Sequence, residues 1–177
     1  RVPKKIELRY FIDLSEVYEA GGSASDIEVT TNYMQSGKCE GLKVWDDANH
    51  IYYMSVVFDD GKLFPGGQSN YKQEIQVRMR NQKGVWDDSN DPSFNGLTNG
   101  NVTLAKNMAV YENDRLVFGT TPKSGDKAGE SVIPATGAVS GNSGNNNSVN
   151  NNNSNNKNNT NNNNTVTVSP SSVDADT

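Results

Sequence analysis

The side chains best equipped for chemistry lie between Leu63 and Gly96, in the stretch LFPGGQSNYKQEIQVRMRNQKGVWDDSNDPSFNG. Its loop Trp86-Asp87-Asp88-Ser89-Asn90-Asp91 crowds oxygen atoms into six positions. Calcium takes about six to eight oxygen ligands from Asp carboxylates, Asn carbonyls and backbone carbonyls. Asp87, Asn90 and Asp91 offer three such side chains within one loop. It is not an EF-hand, because Pro92 stands where the invariant Gly belongs and Thr98 where the bidentate Glu belongs. A plain Asx-rich turn reads the same way. A contributor distant in sequence would favour the metal, and Asp13 is the candidate.

The second constellation precedes the loop. From Tyr71 to Met79, Tyr71, Ile75, Val77 and Met79, with Gln73 the one polar exception on their parity, alternate with Lys72, Glu74, Gln76 and Arg78, and Arg80 continues the polar parity. Period-two alternation marks a half-buried antiparallel strand, because successive side chains point to opposite faces. The polar row Lys72, Glu74, Gln76, Arg78 and Arg80 is open to two readings. It is either an ordinary solvated sheet face or a flat surface that hydrogen-bonds sugar hydroxyls, helped by aromatic faces such as Trp86, Tyr53 or Tyr33. A flat face suits a polymer, whereas small ligands need a concave pocket.

Catalysis finds little support. A nucleophile needs an adjacent base, and the single imidazole, His50, falls in a turn after Asp46-Asp47. Paired carboxylates for glycoside hydrolysis must flank a cleft, whereas Asp46-Asp47, Asp59-Asp60 and Asp87-Asp88 fall in turns, where Asp is common for backbone reasons. Cys39 is the only cysteine, which excludes an intramolecular disulfide and reads as a small buried or half-buried thiol.

The elements that must hold these residues are short strands. Lys5 to Ile12 alternates Ile6, Leu8, Tyr10 and Ile12 against Glu7, Arg9 and Phe11, with both faces partly covered. Asp13 to Ala20 suits a short helical turn capped by Asp13 or Ser15, with Glu16 three residues after Asp13. Asp26 to Tyr33 is β-branched, with Ile27, Val29 and Thr31 on one parity. Gln35 to Gly41 reads as a turn, Leu42 to Trp45 as a short strand and Asp46 to His50 as a tight turn. Ile51 to Phe58 (IYYMSVVF) reads as the central strand, followed by the hairpin signal Asp59-Asp60-Gly61. Pro65-Gly66-Gly67 turns the chain into the alternating strand. Val102 to Leu104, Ala109 to Tyr111 and Arg115 to Phe118 are further strands. Many short strands with hardly any helix define an all-β chain, an antiparallel β-sandwich.

Composition divides the chain. Only 33% of the 177 residues are hydrophobic, and every aromatic lies at or before Phe118. Lys123 to Ser140 lacks periodicity, and 16 of the 23 residues from Asn142 to Asn164 are Asn. Such a tract has too little apolar surface to offset chain entropy. The expected organisation is a module over 1–122, a flexible linker over 123–164 and, from the strand-like TVTVS after Asn164, the start of a further module at 165–177. The net charge of −5, without a basic run, argues against nucleic acid. No stretch approaches the roughly 20 apolar residues of a membrane span. The opening Arg1-Val2-Pro3 reads as an internal segment of a longer protein.

The passages LRYFIDLSEV, SASDIEVTTNY, GLKVWDDANHIYY, LFPGGQSNYKQEIQVRMR, VWDDSNDPSF and MAVYENDRLVFGTTP span nearly all of Lys5 to Pro122. Together they resemble the family 3 carbohydrate-binding modules of bacterial cellulases. DLSEV, SASDIEVTTNY and PGGQS look most like the subtype c modules joined to family 9 glycoside hydrolases. The resemblance implies a secreted endoglucanase in which this non-catalytic module lies beside the catalytic domain and extends its cleft over a β-1,4-glucan chain. It also implies a jelly-roll-like sandwich with one structural calcium. The family's calcium ligands fall on Asp13, Asp87, Asn90 and Asp91, with Ser15 at a further ligand position, and its cellulose-facing positions fall on Gln76 and Arg78. The chain departs from the family in lacking about three strands before LRYF. It also lacks the Asp-His pair and the planar aromatic strip of crystalline-cellulose binders, whose strip Tyr falls near Cys39. Two alternatives to chain guiding follow: an autonomous module that targets crystalline cellulose, and a structural spacer that packs on a neighbouring domain.

Overall fold

The computed structural model describes residues 5–59, 74–84, 86–98, 100 and 102–138, and the backbone of 164–168. The turn signals Asp59-Asp60-Gly61 and Pro65-Gly66-Gly67, together with Tyr71, Lys72 and Gln73, lie wholly or partly outside the described residues.

Alternation in the sequence becomes two sheets face to face. Strand β1 (Ile6–Asp13) pairs antiparallel along its whole length with β4 (Ile51–Phe58), from Ile6 opposite Phe58 to Asp13 opposite Ile51. With β3 (Lys38–Asp46), β6 (Ala109–Glu112), β7 (Arg115–Phe118) and β8 (Ser131–Ile133), these strands form a sheet in the order β7-β6-β1-β4-β3-β8. The second sheet consists of β2 (Ile27–Met34), β5 (Ile75–Asn81), β9 (Thr136–Gly137) and β10 (Asn164–Val168), in the order β10-β5-β2-β9. All pairings are antiparallel except β2 with β9. Tyr10, Ile12, Leu42, Val44, Tyr52 and Met54 of the first sheet are buried in one cluster with Ile27, Val29, Ile75, Val77 and Met79 of the second. Each such side chain contributes about 1.5–3 kcal/mol on burial, so this layer dominates stability.

Strand β4 is central, as its composition requires: every residue after Ile51 is buried. Tyr52, Met54, Val56 and Phe58 fill the space between the sheets, while Tyr53 joins Phe11, Trp45 and Ala109 in a separate cluster. Alternation in β1, β3 and β4 puts that cluster on the outer side of the first sheet.

Several local expectations are revised. Helix α1 (Ser15–Glu19) starts after Leu14 without a side-chain cap, and Asp13 Oδ1 instead accepts from the Ser15 backbone N–H at 2.8 Å. The capping box forms at the 3-10 turn Ala24–Asp26, between Ser23 and Asp26. Strand β3 begins at Lys38, where a turn was expected, and bulges between Cys39 and Gly41. Gly41 has φ +92°, and a Cβ there would lie 2.0 Å from the Ile133 carbonyl oxygen, so only glycine lets β8 approach. Val102 to Leu104 is not a strand: Val102 is 98% exposed, and β-propensity without a pairing partner does not make a sheet.

The largest revision concerns the C-terminal third. Residues 123–138, expected as linker, contribute β8 on β3 and β9 on β2, and the folded module extends at least to Ala138. The boundary expected at 122 therefore falls inside folded structure. The strand-like TVTV pairs with β5. Periodicity cannot reveal two- or three-residue strands, because their partners are remote in sequence. Among the described residues, no helix is long and apolar enough to cross a membrane.

Candidate functional site

The acidic loop meets β1 and α1. Ser93 pins the loop to the middle of the sheet: its Oγ accepts from the Phe11 N–H at 2.8 Å and donates to the Asn107 carbonyl at 2.7 Å. This fixes Asp91 beside the end of β1, where its Oδ1 accepts from the Asp13 N–H at 2.8 Å. Asp13 and Asp91, 78 residues apart, are thus neighbours.

Sequence reasoning missed Glu16. Its Oε1 accepts from the Asp87 N–H at 3.2 Å and its Oε2 from Asn90 Nδ2 at 3.1 Å. The placement of Glu16 on the first turn of α1, one residue beyond Ser15, was the only available signal. Asp87 Oδ1 accepts from the Ser89 N–H at 2.9 Å, as an Asx turn does. Asp87 and Asn90 are exposed, Ser15 is half-buried and Asp91 is 2% exposed. Burial, then the charges of Glu16 and Asp88, push the Asp91 carboxyl up to about 8. Among the described residues, no group of three or more His, Cys, Asp or Glu converges as a metal cage. What the structure brings together is the buried Asp91 carboxyl with the acidic side chains of Asp13, Glu16, Asp87 and Asp88 around it. That chemistry fits a divalent cation.

The polar row lies on the outer side of the second sheet. Glu74, Gln76, Arg78 and Arg80 are half-buried and alternate with buried Ile75, Val77 and Met79; Lys72 lies outside the described residues. Opposite them on β2 stand Tyr33 (with Gln76), Thr30 (with Arg78) and Glu28 (with Arg80). A bulge between Thr31 and Tyr33 turns the Tyr33 ring outward, 42% exposed. Gln76 Nε2 donates to Glu74 Oε1 at 2.7 Å, and Arg80 to Glu28 Oε2 at 2.9 Å. The row is therefore pre-ordered by its own hydrogen bonds. Of the aromatics considered for this face, Tyr33 alone lies on it: Trp86 is buried between the sheets, and Tyr53 is buried on the outer side of the other sheet.

That other side carries a constellation the sequence did not disclose. Buried Glu7 accepts from Arg9 at 2.9 Å and from Ser55 Oγ at 2.8 Å. The Arg9 guanidinium lies 4.0 Å from the Tyr111 ring centre and 4.9 Å from that of Tyr53. Burial pushes Glu7 upward, but the hydrogen bonds from Arg9 and Ser55 and the nearby positive charges outweigh it and hold the carboxyl below its ordinary range. The alternation of Glu7 and Arg9 in β1 was the available signal. Their partners lie about 50 or more residues away.

The remaining candidates are not catalytic in geometry. The His50 ring stacks on Tyr18 at 3.8 Å, and Tyr18 Oη and Tyr52 Oη are 2.6 Å apart. Cys39 is half-buried, and burial pushes its thiol up, away from the thiolate form a nucleophile needs.

A family model described as "Cellulose binding domain" matches residues 1–119. The chain belongs to that family. This cellulose-binding domain is non-catalytic, and its relatives are bacterial endoglucanases. It is 39% identical over 124 residues to Endoglucanase 4 of Bacillus sp. (strain KSM-522), covering 69% of this chain and 19% of that protein. With Endoglucanase B of Cellulomonas fimi it shares 31% over 119 residues, covering 67% of this chain and 11% of that protein. Among solved structures, endoglucanase CelQ from Clostridium thermocellum, complexed with cellobiose and cellotriose, matches with TM-score 0.62 and 34% identity, over 69% of this chain and 21% of that one. The cellulose-binding domain therefore spans about a fifth or less of the relatives it matches.

Proposed function

We propose that this cellulose-binding domain belongs to a larger secreted endoglucanase and holds a single cellulose chain in register with an attached catalytic domain of glycoside hydrolase family 9. The observation that carries this reading is the outward, pre-ordered row Glu74, Gln76, Arg78 and Arg80 beside the exposed ring of Tyr33. Amides, carboxylates and guanidinium groups along a strand offer donors and acceptors at regular intervals to a ribbon of hydroxyls. One exposed aromatic gives little stacking. Hydrogen bonds that compete with water are individually weak, so the face suits guidance of a tethered chain better than tight anchoring on crystals. Tethering raises the local concentration of substrate at the catalytic cleft without chemistry in the domain. The family 9 partner is further supported by the DLSEV, SASDIEVTTNY and PGGQS passages, and secretion by the endoglucanase relatives.

In the same reading a calcium ion clamps the acidic loop to β1. Asp91 and Asp13 would hold it, with Asp87, Asn90 and Ser15 as further oxygen donors, and it would supply positive charge beside the buried Asp91 carboxylate.

The test uses the intact enzyme. Q76A/R78A should lower the ratio of soluble to insoluble reducing sugar released from cellulose several-fold, while activity on a short soluble oligosaccharide stays unchanged. Unchanged processivity would overturn the guiding role. Micromolar or tighter pull-down of the isolated wild-type chain on crystalline cellulose would favour autonomous targeting instead.

A further inference from the structure

We propose that Arg78, with Thr30 across from it, is a carboxylate-accepting subsite within the polar row. Given the polysaccharide reading of this face, on which this rests, the ligand is a β-1,4-linked glycan that carries acid groups, such as uronic acid substituents.

The second sheet supplies its own comparison. Arg78 and Arg80 stand on the same outward face of β5, two residues apart, about 6.7 Å along the strand. Directly opposite Arg80 is Glu28, and directly opposite Arg78 is Thr30. Opposed side chains lie about 4.5–5.5 Å apart at Cβ, close enough to pair. Arg80 uses its partner: its Nη2 donates to Glu28 Oε2 at 2.9 Å. Among the described residues, none pairs with Arg78.

Its neighbours on the face account for this. Gln76, on one side, gives its amide to Glu74 Oε1 at 2.7 Å, and Arg80, on the other, holds Glu28. Both described acids of the row and its β2 partners are thus engaged elsewhere. Across the other edge of β5 the register partner of Arg78 is Thr165, a residue type without charge.

Burial sharpens the contrast. Arg78 is half-buried, and Nε of each arginine is sealed from water without an acceptor, as is the Thr30 hydroxyl oxygen. Buried polar atoms without partners cost free energy and call for an explanation. The terminal nitrogens are what remain for pairing: those of Arg80 have Glu28, whereas those of Arg78 are left for a ligand. A cation partly stripped of water therefore stands one step along the strand from Gln76 and, across from it, the exposed Tyr33 ring. A sugar hydroxyl would be served as well by an amide. The planar fork of a guanidinium instead matches a carboxylate through two parallel hydrogen bonds, and such charge-assisted pairs are the stronger kind. A glycan lying along Tyr33 and Gln76 would bring a pendant carboxylate within reach of Arg78.

Affinity electrophoresis of the 177-residue chain at low salt, in carboxymethyl cellulose and in hydroxyethyl cellulose, tests this. The wild type should bind the acidic polymer roughly five- to tenfold more tightly than the neutral one. R78Q, which loses the charge, and R78K, which loses the fork, should both erase that preference. E28Q, which releases Arg80, should raise it. K123Q, which removes an exposed charge outside the row, should keep it. Equal binding of the two polymers by the wild type would overturn the subsite, as would a preference that R78K keeps in full, that K123Q loses or that E28Q leaves unchanged. Binding of both polymers without preference leaves the polysaccharide reading standing, whereas binding of neither removes that reading as well. If R78Q leaves both affinities unchanged but uncouples melting of this domain from that of the rest of the intact enzyme, the carboxylate belongs to a neighbouring domain and the subsite falls.

Discussion

Replacing Asp91 by asparagine separates the scaffold role of the acidic loop from its proposed metal role. The side chain is 2% exposed, and one carboxylate oxygen accepts from the Asp13 N–H. D91N keeps that acceptor and the volume but removes the charge. In chelator, the wild-type carboxyl stands at about 8, above its ordinary range. A raised carboxylate contributes stability below its unfolded value and loses it as pH rises through the folded one. Wild-type stability in chelator should therefore fall between about pH 4 and pH 8, and D91N should lack that slope. At pH 7 in chelator, D91N should match or exceed wild type. Calcium at a hundred times its dissociation constant should add about 2.7 kcal/mol to the wild type, roughly 10 °C in Tm for a domain of this size, and almost nothing to D91N. Calorimetry of both chains with and without calcium reads all four values. A D91N chain that melts far below wild type in chelator, or that keeps most of the calcium response, would refute the reasoning.

Further outcomes follow from the same contacts. E7Q removes the carboxylate from buried Glu7 beside Arg9 and should cost about 2 kcal/mol by urea denaturation, below the full cost of a broken buried pair because Arg9 is partly solvated. Because the Glu7 carboxyl is held below its ordinary range, its contribution is complete at neutral pH and lost as pH falls through the folded value; E7Q should show a shallower acid-denaturation slope. Y33A should leave Tm within about 1 °C, because the ring is largely outside the core, yet weaken retardation in cellulose-derivative affinity electrophoresis. L42A, fully buried between the sheets, should cost about 2–5 kcal/mol and leave relative affinity unchanged at temperatures where it is folded.

Much of the fold was legible because period-two alternation records burial directly. IYYMSVVF had too many apolar residues for anything but a strand covered on both sides, and β4 has that place. The β5 alternation separated buried Ile75, Val77 and Met79 from outward Gln76, Arg78 and Arg80. Val102 to Leu104 misled because propensity says nothing of a partner, and β8 and β9 were invisible because two or three residues carry no period. At the site, Asp13 was named as the distant contributor to the acidic loop and again by the family resemblance, and its backbone N–H donates to Asp91. Glu16 was missed because a carboxylate on a helical turn looks like any solvated acid until the loop folds back over it.

By itself the sequence determined the longer strands and their faces, the kinship with cellulose-binding domains and the loop rich in oxygen donors, since all of these are local patterns of residue type. Tertiary structure decided which distant residues share a place: Glu16 with Asn90, Glu7 with Ser55, Tyr33 with Gln76, and the TVTV segment with β5. The physical reason is that pairing and burial depend on sheet order and register. Those are set when all the strands compete for one core, and no single stretch of the chain encodes the result of that competition.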